Sequence, residues 1–173
     1  MSYFLGTYVP EAVIVTLDLP NGGGQHVITG AADGEFLRIS REQDSVTFRR
    51  GVKGSMRTRW LHRDLNIELT LLQTSQSNDV LSRVLQADED AMDNSQLIGL
   101  NIVDKSGRTT HYSGQAFITS MPDHGFSTEG DTRTWTLYAV DAMSHLGGGD
   151  QVSTENSEVL ESYDYPVPPT WKA

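Results

Sequence analysis

Hydrophobic residues along this chain recur mainly at every second position. Between Asp64 and Leu71, Leu65, Ile67, Leu69 and Leu71 alternate with Asp64, Asn66, Glu68 and Thr70. That is the pattern of a strand with one buried face and one wet, partly acidic face. Thr132–Asp141 repeats it, with Trp135, Leu137 and Ala139 on one side and Thr132, Thr134 and Thr136 on the other. Further strands are predicted at Ala12–Leu19, His26–Thr29, Glu35–Arg41, Ser45–Arg50, Met56–Trp60, Leu97–Val103 and Thr109–Ser120. Their Val, Ile, Thr and aromatic content suits a pleated surface.

Breakers fall where such strands must reverse. Asn21-Gly22-Gly23-Gly24, Asp33-Gly34 and Lys105-Ser106-Gly107 supply glycine for positive φ. One segment departs from period two: Val80, Leu81, Val84 and Leu85 recur at helical spacing and predict a helix over about residues 77–88. Ser75 or Ser77 is the expected N-cap, Asp79 lies in the first turn, and Asp88-Glu89-Asp90 is expected to end the helix. One helix among about nine strands makes a mainly β protein, an antiparallel barrel or sandwich with a flanking helix. The chain divides into an N-terminal arm at 1–10, a β domain at 11–146 and an acidic C-terminal tail at 147–173. Gly147-Gly148-Gly149 opens that tail as a linker. Tyr163, Tyr165, Pro166, Pro168, Pro169 and Trp171 near its end favour docking on the same chain or a neighbour.

Charge changes this picture. The net charge is −10, which argues against a nucleic-acid binder. Yet residues 35–63 hold eight bases against three acids, while residues 64–173 hold five bases and seventeen acids. A basic segment in an acidic chain fits complementary faces that meet between identical subunits, or else a solvated hairpin; charge alone does not choose. The chain has 173 residues and no cysteine, which fits one domain with arms and excludes disulfides and thiolate metal sites. No run of 18 apolar residues and no secretory leader is present, so neither membrane insertion nor export is expected.

Catalytic motifs are missing. His26, His62, His111, His124 and His145 are scattered, with no pair at metalloprotease spacing. Asp88, Asp90 and Asp93 lack the glycine and closing Glu of a calcium loop. Gly51-Val52-Lys53-Gly54 fails as a phosphate loop because no helix follows it; it reads as the tip of a long hairpin. Arg49, Arg50, Lys53, Arg57 and Arg59 on that hairpin, with Trp60 near its base, are residue types that dominate interface energetics. These absences weigh, weakly, against catalysis.

The residues from about Ala12 to Ala142 resemble the tail tube proteins of contractile-tailed (myovirus-type) phages. The resemblance is carried by Val27-Ile28-Thr29-Gly30 with Asp33-Gly34 and Phe36, Arg41 with Asp44, and Gly51 with Lys53-Gly54. Its most specific part is Leu69-Thr70-Leu71-Leu72-Gln73-Thr74-Ser75-Gln76-Ser77-Asn78-Asp79-Val80-Leu81, a strand running into a helix. Asp104-Lys105-Ser106-Gly107, Ala116-Phe117-Ile118 with Pro122, and Thr132-Arg133-Thr134-Trp135-Thr136-Leu137 complete it. Gln76 stands where relatives often carry Pro, and the tail after Gly147 is longer than the family's.

The resemblance implies a β-barrel with a flanking helix, similar to the tube subunit of bacterial secretion systems, that is not an enzyme and carries no cofactor and no catalytic residue. Six copies would form a ring, and rings would stack into a hollow tube surrounded by a sheath protein and started on a baseplate or tail-tip initiator. Double-stranded DNA would pass through without specific binding, and the protein would be made in the host cytoplasm and reside in the virion tail. On this reading Arg41, Arg49, Arg50, Lys53, Arg57, Arg59 and Trp60 form an inter-subunit arm that meets acids such as Asp88 and Asp90 on a neighbour. Asp64, Asn66, Glu68 and Thr70 face either the lumen, where acids keep DNA from adhering, or the outer surface. The rival readings are the tube subunit of a related secretion system or tailocin, a monomeric ligand-binding barrel, and a hydrolase with a dispersed site.

Overall fold

The computed structural model describes residues 5–172; Met1–Phe4, which supply Tyr3 and Phe4 to the predicted arm, and Ala173 lie outside the described residues. In chain order the elements are β1 (Val13–Leu19), β2 (Gly24–Val27), β3 (Leu37–Arg41), β4 (Val46–Arg50), β5 (Ser55–Arg59), β6 (Leu65–Leu72), α1 (Ser77–Ala91), β7 (Ile98–Asp104), β8 (Thr110–Ser120), β9 (Thr132–Val140), β10 (Met143–His145) and α2 (Thr154–Ser162). Each segment with alternating pattern forms a strand, and the fold is mainly β.

One antiparallel sheet of eight strands carries the core in the order β2-β1-β7-β8-β9-β6-β3, with β10 on β8. β4 and β5 pair only with each other. The sheet does not close into a barrel; the expected mainly β, antiparallel architecture with a flanking helix is present without closure. β2 and β3 end the hydrogen-bonded path, and the gap between them is crossed by an irregular stretch instead of a ladder. Ile28 N–H donates to Val15 O, and Ala32 N–H to Thr70 O, so this stretch passes from the first half of the sheet to the second. Gly30 makes the crossing possible: its φ is 72°, and a Cβ there would lie 2.6 Å from Ser75 Cβ.

The sheet folds over its own core because β8 changes partners along its length. Residues Thr110–Ala116 pair with β7, and Gln115–Ser120 pair with β9. The register shifts between the Ile98–Ala116 and Leu100–Ser113 pairs, which leaves an extra residue in β8. Ser113 satisfies the disrupted ladder: its Oγ donates to Val140 O (2.6 Å) and accepts from Gln115 N–H (3.2 Å). Beside this bulge the neighbouring strand bends too, at Asp141, whose φ is 46°, before β10 returns to β8. Both halves then enclose one cluster that includes Leu17, Ile67, Leu69, Ile98, Leu100 and Trp135. Burial of such apolar area is the main stabilising term.

α1 caps this cluster with Leu81 and Leu85. Neither candidate serine occupies the N-cap, which is Gln76. Ser75 still caps, its Oγ accepting from Ser77 N–H at 3.2 Å, while the buried Ser77 Oγ accepts from Thr29 N–H at 2.9 Å. The helix also outruns its acids. Asp88-Glu89-Asp90 lie within its last turn, and the chain leaves through Met92 in the left-handed region (φ 54°). Acids at a helix C-terminus oppose its dipole, and packing of the apolar face outweighs that cost.

The C-terminal segment contains a helix, α2, that the sequence reading did not predict. Ser153 Oγ caps it by accepting from Asn156 N–H at 3.3 Å. The segment closes on itself through Val152 N–H to Trp171 O (2.7 Å) and Lys172 to Glu161 (2.7 Å). It packs on its own domain: Tyr165 stacks on His145 with ring centroids 4.1 Å apart, and Val152 and Val167 are buried.

Candidate interaction surface

The β4–β5 hairpin stands off the domain. Register pairs Val46 with Arg59, Phe48 with Arg57, Arg49 with Met56 and Arg50 with Ser55. Every residue of both strands except Thr58 is exposed. Strand alternation therefore gives two usable faces. One carries Val46, Phe48, Arg50, Arg57 and Arg59; the other carries Thr47, Arg49, Met56 and Thr58. Gly51 N–H donates to Gly54 O (2.7 Å), which closes the tip around Val52 and Lys53. Trp60 N–H donates to Ser45 O (2.9 Å) at the base.

Two properties set this hairpin apart. Residues 45–63 contain no Asp or Glu, and among the described residues none of the hairpin's cations has an ion-pair partner; the bridges are Arg38–Glu35 and Lys172–Glu161. Its apolar side chains are also open to water: Phe48 is 60% exposed and Met56 56%. An isolated hairpin is only marginally stable in water, and exposed Phe, Met and Arg are residue types common at protein contacts. Residue type singles out the arginines and Trp60 in the sequence, whereas Phe48 and Met56 become visible only through their exposure.

The remaining predicted residues fall elsewhere. Arg41 lies at the end of β3, paired with Leu65, at the root of the hairpin. Asp88 is half-buried and Asp90 exposed on the last turns of α1. Asp88 borders a groove of about 480 Å³ with Met92, Asp93, Leu97, Phe117 and Val140. The structure does not bring these acids against the basic hairpin of the same chain.

On the polar face of β6, Asn66 donates to Glu42, Thr70 bonds Thr134 at 3.1 Å, and Glu68 is exposed opposite Arg38. Asp64 precedes the strand and is committed to the fold. It accepts Asp141 N–H (2.9 Å) and Tyr138 OH (2.8 Å), bracing the bend between β9 and β10. The Asp141 amide is the main cause that holds the Asp64 carboxyl below its usual value; desolvation opposes it, and the Tyr138 hydroxyl adds a smaller lowering. The same bond raises Tyr138 to about 12.

The signs follow. A depressed carboxylate stabilises the fold above its unfolded pKa and loses that contribution as pH falls through its folded pKa. A raised phenol stabilises below its unfolded pKa and loses that contribution as pH rises through about 12. Asp64→Ala is expected to cost about 2 kcal/mol, the scale of hydrogen bonds to a charged group, and to lower Tm by about 4–8 °C. Thermal melts by circular dichroism from pH 3 to 7 check this. The variant's deficit should shrink toward acid; a deficit that is the same at pH 3 and pH 7 refutes the role of the ionised carboxylate.

Histidines do not gather into a site. His26 bonds Ser77, and His111 bonds Ser144. Burial, and then the Arg41 charge, lower the His111 pKa. Among the described residues no group of three or more His, Cys, Asp or Glu side chains converges as a metal site would require. Among the described residues no helix is long and apolar enough to cross a membrane.

No family model matches the chain. The structural protein ORF10 of Pseudomonas phage KPP10 is 29% identical over 167 residues, which cover 95% of this chain and 96% of that protein. A chain in the cryo-EM structure of the anti-feeding prophage cap, described as a tube terminating cap, superposes with a TM-score of 0.50 at 17% identity, covering 84% of this chain and 95% of that one. A weaker likeness, TM-score 0.43 at 15% identity, is to a chain of the anti-feeding prophage baseplate, covering 86% of this chain and 96% of that one. The chain is thus similar over nearly its whole length to a phage structural protein, and a chain within a prophage cap assembly has a related fold.

Proposed function

We propose that this chain is a structural protein of a phage tail and, within it, the subunit of the tail tube. Full-length similarity to a phage structural protein supports the virion role. The geometry supports assembly through one observation: an exposed hairpin, free of acids, that presents Phe48 and Met56 among unpaired arginines. Such a surface is costly to leave in water and repels a second basic surface, so its partner is acidic and partly apolar. The chain's own acidic remainder supplies that chemistry, which makes a second copy the natural partner.

On this reading copies join into rings, six by the resemblance, and rings stack into a conduit for the genome. A sheath protein, a baseplate or tail-tip initiator and passing double-stranded DNA are the further partners. The polar face of β6 with Asn66, Glu68 and Thr70 is proposed as the wall that meets DNA. Asp64 is spent within the fold and Glu68 lies opposite Arg38, so low net charge rather than strong acidity would keep DNA from adhering.

Negative-stain electron microscopy of the purified protein, at high concentration and across a salt series, tests the reading. Stacked rings or hollow tubes that dissolve as salt rises are expected. Monodisperse small particles at every salt concentration, with a tail-tip initiator present, refute it.

A further inference from the structure

The hairpin and a second exposed segment lie at opposite ends of one half of the sheet. The connection from β8 to β9, Met121–Asp131, carries Asp123, Glu129 and Asp131 and neither Lys nor Arg. All of it is exposed except Pro122, and Phe126 at its centre is 79% exposed. The loop nonetheless has internal order. Ser127 Oγ donates to Gly130 O (2.9 Å), Asp131 Oδ1 accepts from Thr132 N–H (2.8 Å), and the His124 ring stands edge-on to Phe126 at 6.1 Å. Phe126 is therefore presented on a shaped, acidic loop instead of being tucked away.

Register defines the two ends. Leu65, the first residue of β6, pairs with Arg41 and Ala139, so the hairpin departs from that end. Leu72, the last residue of β6, pairs with Thr132, so Met121–Asp131 marks the other end. The eight residues of β6 separate them by about 24 Å at roughly 3.4 Å per residue. One molecule cannot bring the two surfaces together. Unlike surfaces at opposite ends of the molecule make a head-to-tail contact, which repeats from copy to copy.

We propose that the Met121–Asp131 loop is the seat for the β4–β5 hairpin of a second copy of this chain. Phe126 meets Phe48 and its cross-strand partner Arg57, aromatic on aromatic with a guanidinium over the ring. Asp123 and Glu129 face the remaining cations. The inference rests on the assembly reading above and specifies its contact. It also separates this seat from Asp88 and Asp90. Ile98, just beyond α1, shares a row of the sheet with Ala116, Ala139 and Leu65. The acids of α1 thus lie toward the hairpin's own end, where a neighbour beside the molecule, not one beyond it, would present them.

The natural chain has no cysteine, so introduced pairs report without background. Full-length protein carrying Val46→Cys, on the Phe48 face of the hairpin, and Ser127→Cys, oxidised at high concentration, is expected to give a ladder of covalent multimers on a non-reducing gel. Each single variant should stop at a dimer, and Val46→Cys with Asp90→Cys should give no ladder. A ladder from the Asp90 pair, alone or alongside the first, overturns this seat and leaves the assembly reading standing. Absence of a ladder from either pair, while larger species still sediment, also overturns the seat alone. No ladder together with a single monomeric species in sedimentation removes both.

Discussion

Replacing Arg49 and Arg50 by Glu should abolish self-association while leaving the domain folded. The two residues occupy opposite faces of the hairpin at its outer end, paired with Met56 and Ser55. Neither has an ion-pair partner among the described residues, so the fold loses nothing when their sign changes. Surface substitutions of this kind usually alter stability by no more than about 0.5 kcal/mol. The contact responds differently, because two charges change sign, a net change of four units, relative to the acidic surface they approach, and like charges across an interface cost several kcal/mol. Sedimentation velocity at low and moderate salt measures the outcome. The double variant should remain a small species at concentrations where the natural chain polymerises, with an unchanged far-ultraviolet spectrum and Tm. Normal polymerisation of the variant refutes the arm.

Trp135→Ala should have the largest effect on the fold itself. Trp135 is 2% exposed and lies in the middle of β9, where it packs with the main core cluster. Its indole N–H donates to Asn78 Oδ1 at 2.9 Å, and Asn78 Nδ2 in turn donates to Leu72 O at 3.0 Å. One side chain thus fills the core and fastens the first turn of α1 to the end of β6. Truncation removes apolar contact, leaves a cavity and strands the Asn78 carbonyl without its donor. Together these place the loss near 4 kcal/mol, within the range of Trp-to-Ala core substitutions, and a Tm drop of about 8–16 °C for a domain of this size. A melt within 3 °C of the natural chain would mean that the site collapses and refills, and that Trp135 does not organise the core.

The sequence exposes the parts of this fold that obey one-sided burial. β6 is legible because Leu65, Ile67, Leu69 and Leu71 all point into the core while Glu68 meets water, so period two survives intact. The same rule finds β4 as a strand but does not tell what covers it. Val46 and Phe48 alternate as core residues would, yet every position of that strand is exposed, since no second layer exists for them to pack against. Alternation reports a pleat, not what covers it. The bulge in β8 has only Gly114 as a local sign, and its cause, a change of partner strand, is not local at all. α2 is hidden by composition: its polar, acidic sequence buries only Ser157 among its own residues, and the anchors that hold the segment, Val152 and Val167, lie outside it. Asp64 shows the limit for the surface. Parity assigns it to the polar face, correctly, but the bonds that occupy its carboxylate come from Tyr138 and Asp141, far along the chain.

The change of partners along β8 also bears on mechanics. Many β proteins join their halves by loops and side-chain packing, both of which yield under tension. Here an eleven-residue strand passes unbroken from one half of the sheet to the other. A pull along it is carried by covalent bonds, while the flanking ladders are loaded in shear rather than unzipped one bond at a time. A domain strung on such a spine is expected to resist force along β8 better than its modest size implies.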